Sequence, residues 1–125
     1  MADVKSIVER ARKLLAADGA VVITACDLKD GVIERIQLYF WSEGQAVMDV
    51  ITKDDLVQNW PEEGVYSLVV SAGGAEKSFK TVAMFEGEED MYFRIDGTRT
   101  EADDLGNLPP VAFMEAVEGI SQLRK

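Results

Sequence analysis

The chain has 125 residues, 13 of them Lys or Arg and 23 Asp or Glu, for a net charge of −10. That balance repels phosphate backbones and anionic lipid surfaces, so it argues against direct nucleic-acid binding and against electrostatic attachment to a membrane. Histidine is absent, which removes Ser-His-Asp and Cys-His catalysis and the usual catalytic zinc ligand, and the one cysteine can form neither an intramolecular disulfide nor a structural zinc site.

The length suits one domain spanning residues 1–125, and 47% apolar with 29% charged residues is an ordinary globular composition. No apolar stretch approaches the ~20 residues that cross a bilayer. The opening "MADVKSIVERARKLLAADG" is charged throughout and lacks the apolar core of a signal peptide. With a single cysteine, a cytoplasmic location is expected.

Taken in chain order, Val4, Ile7, Val8, Ala11, Leu14 and Leu15 recur at helical spacing, with Asp3 placed as cap and Gly19 just past the end. "AVVITACD" reads as a strand, and Asp30-Gly31 signals a hairpin into "VIERIQLYFW". Strict alternation there sends Val32, Glu34, Ile36, Leu38 and Phe40 to one side, and Ile33, Arg35, Gln37, Tyr39 and Trp41 to the other. "SEGQ" turns the chain into "AVMDVIT". Thr52 and Asp55 then form a capping box for a short helix that Pro61 stops.

In the second half, "VYSLVVSA" and "EKSFKTVAMFE" flank a Gly73-Gly74 turn, and "MYFRID" follows "GEED". "TRTEADDLGNLPP" is a polar connector. Pro110 is placed to open a last helix whose buried stripe is Phe113, Ala116, Val117, Ile120 and Leu123. The order α-βββ-α-βββ-α predicts an α+β protein: a single-layer antiparallel meander of about six strands packed by the N- and C-terminal helices.

Chemistry-bearing motifs are scarce. Cys26 lies in a strand beside Asp27, which disfavours a thiolate, and it reads as buried and inert. "SAGGAEKS" has the wrong glycine spacing for a phosphate loop and leads into a strand. The acidic pairs lack the alternating ligands of a calcium loop, so no metal and no cofactor are expected.

What remains is surface. On an uncovered sheet face, Tyr39, Trp41, Ile33 and Tyr92 would form an apolar patch of the kind that marks a partner site. Three readings follow. The first is a small acidic non-catalytic interaction protein, an adaptor, subunit or chaperone, that binds a protein partner through an apolar sheet face or edge. A basic partner suits its charge, and a homodimer would bury the same face. The second is a small apolar-ligand binder with a pocket lined by Trp41, Tyr66, Phe85 and Phe93. The third is an inhibitor or immunity-type protein that presents Glu88, Glu89, Asp90, Glu101, Asp103 and Asp104 to a basic site. An enzyme is not expected.

The predicted element order and the acidity resemble those of class I type III secretion chaperones, which implies a dimeric chaperone of αβββαβββα type. The resemblance is one of architecture and charge and carries no residues over. The opening helix, strand, Asp30-Gly31 turn and strand are also similar to those of a roadblock-like or profilin-like subunit. That fold would place a long helix at "QAVMDVITKDD", which is a poor helix sequence.

Overall fold

The computed structural model describes residues 4–16, 19–70, 77–106, 108–112 and 119–124. Helix α1 (Val4–Leu15) forms as its spacing requires. Ile7, Ala11 and Leu15 stack one turn apart and are buried, while Arg12 and Lys13 occupy the last turn, where the helix dipole favours cations. Asp3, the expected cap, lies outside the described residues.

Strands β1 (Val21–Lys29), β2 (Val32–Ser42) and β3 (Gln45–Thr52) are joined by two-residue turns, Asp30-Gly31 and Glu43-Gly44. All four turn residues have positive φ, from 53° to 80°, the conformation whose twist matches that of the flanking strands. The β1–β2 register slips twice. Ile23 pairs with Leu38 but Ala25 with Gln37, leaving Thr24 extra on β1; Asp27 pairs with Arg35 but Leu28 with Ile33, leaving Glu34 extra on β2. These are β-bulges, and each changes which side chains share a face.

After β3 the capping box forms: Asp55 N–H donates to Thr52 Oγ1, and Thr52 N–H donates to the Asp55 carboxylate, both at 3.2 Å. Helix α2 (Lys53–Gln58) then carries the chain across one sheet face. Strand β4 (Val65–Val70) therefore enters beside β1 rather than beside β3, and runs parallel to it over Val21–Ile23. Strand β5 (Lys77–Thr81) pairs antiparallel with β4, giving the order β3-β2-β1-β4-β5. The Gly73-Gly74 turn lies outside the described residues.

The expected strand "EKSFKTVAMFE" breaks at Val82, which is buried and donates its N–H to Val65 O at 2.8 Å. Beyond it, β6 (Ala83–Glu86) and β7 (Met91–Arg94) make a separate two-stranded ribbon. The fold is thus α+β with a largely antiparallel sheet, but the single-layer antiparallel meander is corrected. Seven strands in two sheets, one pair parallel, are found among the described residues. β3 occupies the place where a roadblock-like subunit would have its long helix.

The polar connector is built into the fold. Asp104 bridges to Arg94 of the ribbon, Ser67 Oγ donates to Leu105 O at 2.6 Å, and Pro109 O accepts from Cys26 N–H at 3.0 Å. The last helix does not open at Pro110. Val111 and Ala112 are non-helical, their N–H groups donating to the side chains of Asp27 and Gln37. Residues 113–118 of that expected helix, with Phe113, Ala116 and Val117, lie outside the described residues. Ile120–Gln122 form a short 3-10 turn that buries Ile120 and, just after it, Leu123.

Both faces of the large sheet are covered. On one, α1 and the 120–123 segment pack on Val22, Tyr39, Ala46 and Leu68. On the other, α2, the ribbon and Leu105 pack on Ile23, Ile36, Leu38 and Val65. Cys26 faces this second layer, and burial first, then Asp27 and Asp103, push its thiol up to about 11. Only about a thousandth of it is thiolate at pH 8, against about a tenth of a thiol ionising near 9, so native protein should react with a disulfide reagent about a hundred-fold slower than urea-unfolded protein. The unfolded thiol ionises near 9 and the folded one near 11, so this group's stabilisation is complete below pH 9 and is lost as pH rises towards 11. Cys26→Ser should flatten that alkaline limb of a stability–pH curve.

Candidate functional site

An open groove of about 550 Å³ lies on the α2 side of the sheet. Its floor comes from sequence-local causes. Leu38 and Phe40 alternate with Tyr39 onto this face of β2, and Asp49, cross-strand partner of Leu38, and Ile51, partner of Ile36, share it from β3. Val21 supplies the β1 end and Leu56 the inner side of α2. The segment after α2, with Asn59, Pro61, Glu62 and Glu63, forms the far wall, and Gly19 and Trp41 close the near end.

The rim is acidic. Asp49, Asp55, Glu62 and Glu63 are all exposed, and no Lys or Arg among the described residues lines the groove. Asp49 Oδ1 accepts from Val50 N–H at 2.8 Å, and Asp55 is held by the capping box, so two of the four carboxylates are fixed by backbone contacts. Asp49 is the charge interrupting "QAVMDVI", which the sequence reading passed over. Asp55 is legible as the capping-box residue, and Glu62-Glu63 reads only as one more acidic pair. Nothing local in the sequence says that these segments meet.

The apolar patch expected from Tyr39, Trp41, Ile33 and Tyr92 does not form. Tyr39 is 0% exposed against α1, and Ile33 is 3% exposed in the layer on the opposite face. The Glu34 bulge separates them: it shifts the alternation, so that Ile33 joins Ile36 and Leu38 rather than Tyr39. Trp41 is half-buried at the groove's end, and Tyr92 stands on the ribbon, its ring 5.7 Å from that of Phe85. The expected aromatic pocket is not assembled either. Phe93 is fully buried, Tyr66 packs on the α1 layer, and Phe85 lines a separate shallow depression with Arg99.

Of the acidic-loop residues, Glu88, Glu89, Asp90 and Glu101 are exposed at the ribbon's end, where Glu101 Oε1 accepts from Glu88 N–H at 2.6 Å. Asp104 is half-buried, 3.6 Å from the Arg94 guanidinium. Asp103 does not belong with them, because its side chain is 0% exposed. Oδ1 accepts from Phe93 N–H at 2.9 Å; Oδ2 accepts from Ile33 N–H at 2.8 Å and from Lys53 Nζ at 3.0 Å. Lys53 is itself buried, 4.9 Å from the centre of the Tyr92 ring. The one sequence cue was a lysine at the first position of a helix, where the dipole disfavours a cation unless a partner compensates.

Two other ionisable groups are perturbed by their neighbours. Arg94 holds Asp96 well below the usual carboxylate range, aided by Thr98 N–H. Burial first, and then Glu101 and Asp90, raise the Tyr92 phenol. Among the described residues no group of three or more Cys, Asp or Glu is placed to hold a metal ion, and no helix is long and apolar enough to cross a membrane.

No protein-family model matches this chain, and no curated protein or solved structure matches it.

Proposed function

We propose that this is a small acidic non-catalytic interaction protein of the cytoplasm, working as an adaptor, subunit or chaperone that seats apolar side chains of a protein partner in the groove between α2 and the sheet. The observation that carries the reading is the groove's floor. Phe40 and Ile51 are only part-buried there, because the protein's own side chains leave the space open. Open apolar concavities of several hundred Å³ are where ligands and partner side chains bind. The non-catalytic half of the reading is supported by the high pKa of Cys26 and the structural pairing of Lys53 with Asp103.

A fluorescein-labelled 12-residue peptide of leucine and glutamine, free of net charge, tests this reading by fluorescence anisotropy. Saturable binding between about 100 μM and 1 mM is expected, since three leucines leaving water gain up to about 3 kcal/mol each and association offsets about half of that. Ile51→Gln, which makes the floor polar, and Asn59→Trp, which fills the groove, should each weaken binding about tenfold while the thermal midpoint stays within a few degrees. Equal affinity in both variants would move the site elsewhere. Failure of this peptide and of its charged counterparts to saturate below about 1 mM would remove the reading.

A further inference from the structure

We infer that the groove takes a basic amphipathic segment of a partner protein, with leucine-like side chains on the floor and Lys or Arg at the rim. This rests on the groove being the binding site and adds the chemistry of its occupant. The argument is charge complementarity around an apolar surface. Val21, Leu38, Phe40, Ile51 and Leu56 make the floor, and four carboxylates surround it with no Lys or Arg beside them among the described residues.

Asp49, Asp55, Glu62 and Glu63 are in no ion pair among the described residues, unlike Asp27, Asp90, Asp96, Asp103 and Asp104, each within 4 Å of an Arg or Lys. Exposed acids such as Glu86, Glu88 and Glu89 are equally unpaired there, but they do not line the apolar floor. Asp49 and Asp55 are also fixed by backbone N–H groups, which leaves one oxygen of each free to receive a cation with little further ordering. A second copy of this chain fits badly, because it would bring a further −10 of charge to an acidic rim. A small organic amine would satisfy one carboxylate and part of the floor; a peptide engages several rim positions at once.

The test compares three 12-residue peptides with identical leucine positions whose remaining residues are Lys, Gln or Glu. The Lys peptide should bind at least about tenfold tighter than the Gln peptide at 50 mM salt, and the Glu peptide weaker than both. The advantage should shrink towards parity at 0.5 M salt, where the Debye length is about 4 Å. Asp49→Asn/Glu62→Gln/Glu63→Gln should abolish the Lys advantage while leaving the Gln peptide's Kd within about twofold. Glu86→Gln/Glu88→Gln/Glu89→Gln, with the same charge change on the ribbon, should preserve it.

If the Gln peptide binds and the Lys peptide binds no tighter, the charge inference falls while the groove reading stands. If no peptide binds, both fall. Equal loss in the ribbon variant would mean that net charge acts rather than this rim. Octylamine displacing the Lys peptide at an equal or lower Kd would make the occupant a small cation. A doubled mass in light scattering that excludes the Lys peptide would make it a second copy. Any of these three results overturns the inference.

Discussion

Asp103→Ala is expected to lower the free energy of unfolding by about 3–5 kcal/mol, the cost of stranding one partner of a buried ion pair. In a domain whose total stability is roughly 5–15 kcal/mol, that change should bring the urea midpoint down sharply and could leave much of the protein unfolded at 37 °C. Three groups lose their partner at once: the Lys53 ammonium at 3.0 Å, Ile33 N–H at 2.8 Å and Phe93 N–H at 2.9 Å. Lys53 has a second acid within reach, Asp90 at 3.8 Å, but that residue is 46% exposed and compensates weakly.

Asp103→Asn should cost less, because the amide oxygen still accepts one backbone N–H. Lys53→Met alone leaves the carboxylate buried with its two backbone donors, and it too should destabilise. Lys53→Met/Asp103→Ala should then lose less than the sum of the single changes, the signature of a coupled pair. Urea unfolding followed by the fluorescence of Trp60, whose ring centre lies 5.2 Å from that of Phe93, measures all four variants. A loss below 1 kcal/mol for Asp103→Ala would mean that water reaches the pair.

Asp103 also shows where the sequence stops being legible. In "TEADDLG" it is one acid among several in a polar stretch, and nothing local separates it from Asp104. Its burial depends on β2 and α2, whose partners are 70 and 50 residues away, converging on it beside β7, whose partner is 10 residues away. Signals that act over a few residues were readable: the α1 stripe, the Asp30-Gly31 turn and the Thr52/Asp55 capping box each form where expected. Non-local geometry was not. The Thr24 and Glu34 bulges leave no mark in an alternating apolar run, yet they decide which face Ile33 occupies. Val82 looks like any strand valine, and its role as a corner depends on the Val65 carbonyl that receives its N–H. The groove is invisible for the same reason. Asp49, Leu56 and Glu62 become neighbours only because α2 returns the chain across the sheet to β4.

Tyr39→Ala should cost about 3–5 kcal/mol of stability and leave the Kd of the folded fraction for the leucine–glutamine peptide unchanged. Tyr39 stood at the centre of the apolar surface expected from the sequence, so the two halves of this result decide between surface and core. A surface tyrosine trimmed to alanine costs within about 0.5 kcal/mol and weakens partner binding. A core tyrosine does the reverse. Its side chain is 0% exposed and belongs to the layer formed by Ile7, Ala11, Leu15, Leu68 and Ile120, with Val22 and Met48 as cross-strand neighbours. Removing the ring opens a cavity that α1, tied to the sheet along its whole buried stripe, can close only in part. Trp41→Ala is the matched comparison, two residues further along β2. It is half-buried and lines the groove, so it should cost less stability than Tyr39→Ala and weaken the peptide. If Tyr39→Ala instead unfolded no more easily than Trp41→Ala and bound more weakly, the covering of this sheet face by α1 would be loose enough to expose it, and the partner site would lie under that helix rather than beside α2.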